Sequence, residues 1–110
     1  MKPSNDREAM TLILQGLVKT GHVVTSVQQD VHDKTDQIPC TDPETAANLV
    51  AECDEGLVYL NLPGSDTPTD GSEGWDGYIW FVLGNEPEEV ACDYTTNLDP
   101  DLDSIVSPWW

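Results

Sequence analysis

The sequence predicts an α+β domain in two layers, an antiparallel β-meander with helices packed on one face. Three observations lead there. Two segments carry apolar residues at helical spacing between recognisable caps. Trp75 to Leu83 is apolar on both faces, as a central strand is. The last three strands are joined by connections short enough for a meander. At 110 residues, one domain over residues 1–110 is expected. A hydrophobic fraction of 38% with high net charge leans toward disorder, but the apolar residues are clustered and periodic, so a folded chain is expected.

The elements follow in order. Asn5 and Glu8 read as a capping box, Met10, Ile13, Leu14 and Leu17 recur at helical spacing, and Gly21 falls at C′ behind Lys19. This predicts a helix over about residues 6–20, weakened at Gly16. Val23 to Val27 is β-branched and short, a strand. Gln28 to Pro39 is polar and reads as a loop. Thr41 with Glu44 reads as a second capping box, and Pro43 suits the first helical turn. In that helix Ala46, Leu49, Val50 and Cys53 share one face, and Glu44, Asn48, Glu52 and Glu55 the opposite one, with Gly56 as the stop.

Leu57 to Leu62 is a strand ended by Pro63-Gly64. Ser65 to Gly74 is a turn-rich loop carrying Asp66, Asp70 and Glu73. In the strand from Trp75, Tyr78, Trp80 and Val82 face one way and Ile79, Phe81 and Leu83 the other, which assigns Trp80 and Phe81 to core and sheet packing. After a Gly84-Asn85 turn, Glu89 to Thr95 returns as a strand with Val90, Cys92 and Tyr94 on one side. Asp99 caps a last helix with Pro100 at its first position, and Pro108 ends it.

Charge carries the functional signal. All four Lys and Arg residues lie in the first 34 positions, balanced there by Asp6, Glu8, Asp30 and Asp33. Of the 21 carboxylates those are four, which leaves 17 after position 34 and assigns the whole formal charge of −17 to that part of the chain. Such a field repels DNA, RNA and anionic membranes and favours a basic partner, the strongest of which grip nucleic acid. Direct nucleic-acid binding is therefore not expected. Glu44, Glu52 and Glu55, then Asp66, Asp70, Glu73 and Asp76, then Glu86, Glu88 and Glu89 are the candidate binding carboxylates, since a carboxylate takes Arg bidentately much as a phosphate does. Trp109 and Trp110 either fold back on the sheet or form an aromatic anchor beside them. The competing reading is a solvated, salt-adapted surface, though such adaptation should decorate the first third as well.

Other chemistries find less support. His22 reads as a strand-edge residue and His32 as a loop residue, and a Cys92–His22 dyad would need a coincidence of folding. Abundant carboxylates make any acid/base pair unspecific, so no catalytic residue is assigned. Asp99, Asp101 and Asp103 match the opening of a calcium loop, but position 6 is Ser104 and no glutamate follows at position 12. Asp66, Asp70, Glu73 and Asp76 are a weak calcium alternative. No metal and no cofactor is expected. Cys40, Cys53 and Cys92 form no pairing pattern and read as small buried hydrophobes in a reducing cytoplasm. No leader or membrane span is recognised, which predicts a cytoplasmic protein.

Trp80-Phe81-Val82-Leu83-Gly84-Asn85, then Glu88-Glu89-Val90 and Asp93-Tyr94-Thr95, resembles small acidic proteins of phages, plasmids and other mobile elements. The resemblance implies a mobile-element origin and brings no catalytic residue. Anti-CRISPR proteins and DNA-mimic inhibitors are similar in size and charge. The expected function is thus a non-enzymatic inhibitor that binds the DNA-gripping surface of a host defence protein such as a CRISPR effector complex.

Overall fold

The computed structural model describes residues 3–33, 35–66, 76–84, 86 and 89–109, without the side chains of 96, 99 and 109. Helix α1 is Asp6–Lys19. Asn5 caps it by accepting from the Glu8 N–H at 2.8 Å, and Gly21 takes the positive φ of 101° that ends the turn behind it. The reciprocal half of the capping box is displaced by one residue. The Glu8 carboxylate accepts from the N–H and hydroxyl of Ser4, which holds its pKa below the ordinary range.

Strand β1, Val23–Gln28, leads into residues expected to be a plain loop. They contain a two-residue strand, β2 (Ile38–Pro39), paired with Ser26 and Val27. The intervening turn is built from aspartates. Asp36 accepts from the Asp30 N–H, Asp30 from the His32 N–H, and Asp33 from both the N–H and hydroxyl of Thr35.

Helix α2 is Pro43–Cys53, and Asp42 rather than Thr41 caps it. Proline fixes the first helical position and forces the residue before it to be extended, which is where an N-cap sits. The Asp42 carboxylate accepts from the Thr45 N–H and hydroxyl at 2.8 and 2.9 Å. The helix stops at Asp54, left-handed at φ 58°, so Gly56 is not the terminator. Gly56 lies inside strand β3 (Glu55–Asn61), where a Cβ would come within 3.1 Å of Val50 and 3.2 Å of the Gln28 carbonyl. Glu55 consequently leaves the acidic stripe of α2.

Strands β4 (Gly77–Val82) and β5 (Ala91–Tyr94) complete an antiparallel sheet of order β2-β1-β3-β4-β5. The expected meander is β3-β4-β5. Two register shifts redistribute the side chains. One, at Thr25, puts both Val24 and Val27 in the core. The other breaks the alternation expected for Glu89 to Thr95: Ala91 pairs Phe81 and Tyr94 pairs Ile79, so these two pack against the core and Cys92 does not. Of the cysteines only Cys40 is buried, while Cys53 and Cys92 are exposed, against the expectation for all three.

All core packing lies on one face of the sheet. Val24, Val58, Leu60, Ile79 and Phe81 meet Met10, Ile13, Leu14 and Leu17 of α1 and Val50 of α2. A turn at Thr96–Leu98 then leads into α3, Asp99–Val106. Leu98 occupies the N-cap position with no side-chain bond, so Asp99 opens the helix rather than capping it and Pro100 is second. Helix α3 crosses α1 at Gly16, whose missing Cβ would stand 2.9 Å from Ile105. His22 is buried at the α1–β1 corner, not at a strand edge. Its Nδ1 lies 3.1 Å from the Leu17 carbonyl and 2.9 Å from the Thr20 hydroxyl, which itself donates to that carbonyl. Its Nε2 lies 3.4 Å from the Asp101 carboxylate of α3. Among the described residues no helix is long and apolar enough to cross a membrane.

Gly16→Leu should displace α3 and cost about 1–3 kcal/mol in urea unfolding, because the added side chain overpacks the contact with Ile105. The hydrogen bonds from Thr45 hold the Asp42 carboxyl below its ordinary value. Its contribution to stability is present above the unfolded pKa and is lost as the pH falls through the lower folded value. Asp42→Asn keeps the cap without the titration, so the variant's melting temperature should fall less than the wild type's between pH 5 and the acid limit. Parallel slopes for the two proteins would exclude this linkage.

Candidate binding surface

The helix layer covers one face only, so alternate residues of β1, β3 and β4 point the other way. On that open face Tyr59 and Tyr78 are direct cross-strand partners, as are Leu57 and Trp80, and Trp80 and Asp93. The tyrosine rings are tilted by 57° with centroids 6.3 Å apart. The turn before β2 rises beside them. Leu57, Tyr59, Tyr78, Trp80 and Asp93 on the sheet, with Val31, His32 and Gln37 on the turn, enclose a cleft of about 550 Å³. Tyr59, Tyr78 and Trp80 give it an aromatic floor, and its volume falls within the range of small-ligand pockets.

A polar network fixes the cleft's turn-side wall. Gln28 Oε1 accepts from the Tyr59 hydroxyl at 2.7 Å and from Gln37 Nε2 at 3.0 Å. Gln28 Nε2 donates to the Asp30 carbonyl at 2.8 Å, and the Ser26 hydroxyl donates to Gln37 Oε1 at 2.7 Å. Gln28 and Ser26 are buried, so these bonds are made away from water, where a missing partner is costly. Burial pushes the Tyr59 phenol above its ordinary pKa.

Carboxylates flank the aromatic floor. The Trp80 indole N–H donates to Glu55 Oε2 at 2.9 Å on one side, and Asp93 pairs with Trp80 across the strand on the other. The Tyr78 hydroxyl donates to Asp93 Oδ2 at 3.3 Å. Burial first, then the Asp93 charge, pushes the Tyr78 phenol up, so it stays a neutral donor. Desolvation, followed by the Asp93 and Glu55 charges, likewise keeps the Cys92 thiol protonated. Neither group is tuned to act as a nucleophile. His22 lies under α3 on the covered side of the sheet, and Cys92 does not pack against that core.

The sequence-predicted acids do not form one row. Glu44 and Glu52 remain on the exposed side of α2, about 12 Å apart along the axis from the helical rise. Arg7 of α1 donates to Asn48 between them, so this stripe is partly neutralised. Glu52 also accepts from Gln29 Nε2 at 2.9 Å. Glu55 and Asp76 sit at opposite ends of the β3–β4 pair, and Asp76 accepts from the Leu62 N–H at 2.9 Å. Asp66 is exposed beyond β3, and Glu86 and Glu89 are exposed in the turn between β4 and β5. Asp70, Glu73, Glu88 and Trp110 lie outside the described residues, as does the Trp109 side chain. Asp101 and Asp103 stand on a regular helix rather than in a calcium loop. Among the described residues, no three His, Cys, Asp or Glu side chains are arranged to hold a metal ion.

Sequence reasoning placed Trp80 in the core and missed the cleft. The signal was present, because a strand apolar on both faces needs a second covering layer, and among the described residues no helix lies on that face.

Gln28→Ala should cost about 2–3 kcal/mol in chemical denaturation, since it removes the buried acceptor shared by the Tyr59 hydroxyl and the Gln37 amide. A loss no larger than that of an exposed substitution such as Gln15→Ala would show that the network is not structural.

Comparison of the chain with protein-family models, with curated proteins and with solved structures finds no match.

Proposed function

We propose that this protein is a non-enzymatic acidic inhibitor. It covers the basic, nucleic-acid-gripping surface of a protein partner, such as a host defence complex of the CRISPR effector kind, and so excludes nucleic acid. A mobile-element origin and action in the host cytoplasm fit that role. The observation that carries the reading is the charge of −17 with no Lys, Arg or His after position 34. The exposure of Glu44, Asp66, Glu86 and Glu89 supports it, because exposed carboxylates are available to a partner's arginines without breaking internal bonds. Salt adaptation accounts less well for a first third that carries no net charge.

Competition tests the reading. Proteins captured on the immobilised chain are eluted with rising salt, purified and bound to a labelled duplex. Soluble protein should displace the duplex, and its own affinity should fall by roughly tenfold or more from low to moderate salt, because the contacts are ionic and solvent-screened. Glu86→Gln with Glu89→Gln should weaken displacement without changing the melting temperature. Capture that survives high salt, or capture without displacement, would sink the proposal.

A further inference from the structure

We infer that the open-face cleft is a guanidinium site that takes an arginine side chain of the partner. The inference rests on the proposed reading in one respect only, that the partner is a basic protein.

The chemistry of the walls selects the occupant. The floor is lined by the partly exposed Tyr78 and Trp80 beside Leu57, with the buried Tyr59 behind them, an aromatic surface of the kind that binds a flat, weakly hydrated group. The ring donors are committed: the Trp80 indole to Glu55, the Tyr78 hydroxyl to Asp93 and the Tyr59 hydroxyl to Gln28. Acceptors therefore dominate the floor. Asp93 stands in the wall with its charge beside the Trp80 position, and Glu55 lies at the indole's other edge. An anionic or phosphate ligand would face the Asp93 carboxylate and a chain of charge −17. A neutral apolar ligand would cover the Asp93 charge with only the Tyr78 hydroxyl to meet it and no cation. A cation with several donors and a flat face satisfies both demands. Guanidinium has five donors in a planar fork, whereas lysine is a compact and strongly hydrated charge that gains less from the rings. At about 550 Å³ the cleft has room for the arginine stem together with its guanidinium head.

The test uses the full chain and three capped pentapeptides, Gly-Ser-X-Ser-Gly, with arginine, lysine or citrulline at X. Citrulline keeps the planar shape and removes the charge. Binding is read in two-dimensional nuclear magnetic resonance from the Trp80 indole N–H, assigned with Trp80→Phe, and from the Tyr59 and Tyr78 rings. The arginine peptide should shift these signals saturably, and the citrulline peptide should bind at least about tenfold more weakly, the loss expected of a charge-assisted contact over rings. Asp93→Asn should weaken arginine binding by about fivefold or more while the Phe81 ring signals stay in place, which separates a lost contact from a lost fold. Equal shifts with arginine and citrulline, or no shift at the cleft, overturn the inference. Shifts confined to Glu86 and Glu89 overturn it while sparing the acidic-surface reading. Saturable binding at Trp80 by a protein that fails the duplex competition upholds the guanidinium site and rejects the nucleic-acid-surface reading.

Discussion

Helices α1, α2 and α3 lie on one face of a five-stranded antiparallel sheet, and among the described residues no second layer of helices meets the other face. That one-sidedness governs everything else. Antiparallel sheets usually solve it by alternating apolar and polar residues, so that the uncovered face is simply wet. Here β4 is apolar on both sides. Ile79 and Phe81 are fully buried under the helices, while Tyr78 and Trp80 face outward and stay only partly covered. The chain covers this second face with the aspartate-built turn between β1 and β2, held down by Gln28 and Gln37. A turn covers less area than a helix, and the remaining gap is the cleft.

Acidic residues perform two separate jobs, and charge counting merges them. Asp30, Asp33, Asp36 and Asp42 accept backbone N–H groups in turns and at a helix cap, and their negative charge accompanies a structural bond. Glu44, Asp66, Glu86 and Glu89 are exposed and shape the field felt by an approaching molecule. Only the second group is available to a partner without disturbing the fold. Several of the structural acids fall before position 43, where the first third also holds all the Lys and Arg residues. The available acids lie on α2, beyond β3 and in the β4–β5 turn.

Where a local chemical signal is strong, the sequence reads true. Asn5 and Gly21 bracket α1 as their backbone preferences require, and β3, β4 and β5 form the expected meander. The α+β architecture follows from those elements. The failures come from single residues acting at long range. A register shift at Thr25 and another near Cys92 decide which side chains enter the core, and a bulge has no reliable signature in composition. Gly16 reads as a defect in α1 until Ile105 is seen against it, and Gly56 reads as a stop until Val50 and the Gln28 carbonyl are. Glu55 moves from a helix stripe to the edge of Trp80 because the helix ends two residues earlier than its periodicity suggests. The candidate site was hidden for the same reason: Trp80, Asp93 and Glu55 come together only through strand pairing.

The two features proposed for binding would act at different stages of one encounter. A broad negative field acts at a distance, is screened over about 10 Å at ordinary salt, and chiefly raises the rate of productive approach. It discriminates poorly, because any basic surface responds. A cleft with an aromatic floor beside the Asp93 carboxylate would act at contact. Its charge–charge and ring contacts would form only at close range and chiefly slow dissociation. A protein with the field alone would bind many basic surfaces weakly and release them in moderate salt. The cleft alone would wait on diffusion. On the proposed reading, joining them would let charge collect basic partners and let Trp80, seated between Glu55 and Asp93, retain those that present an arginine at the right place.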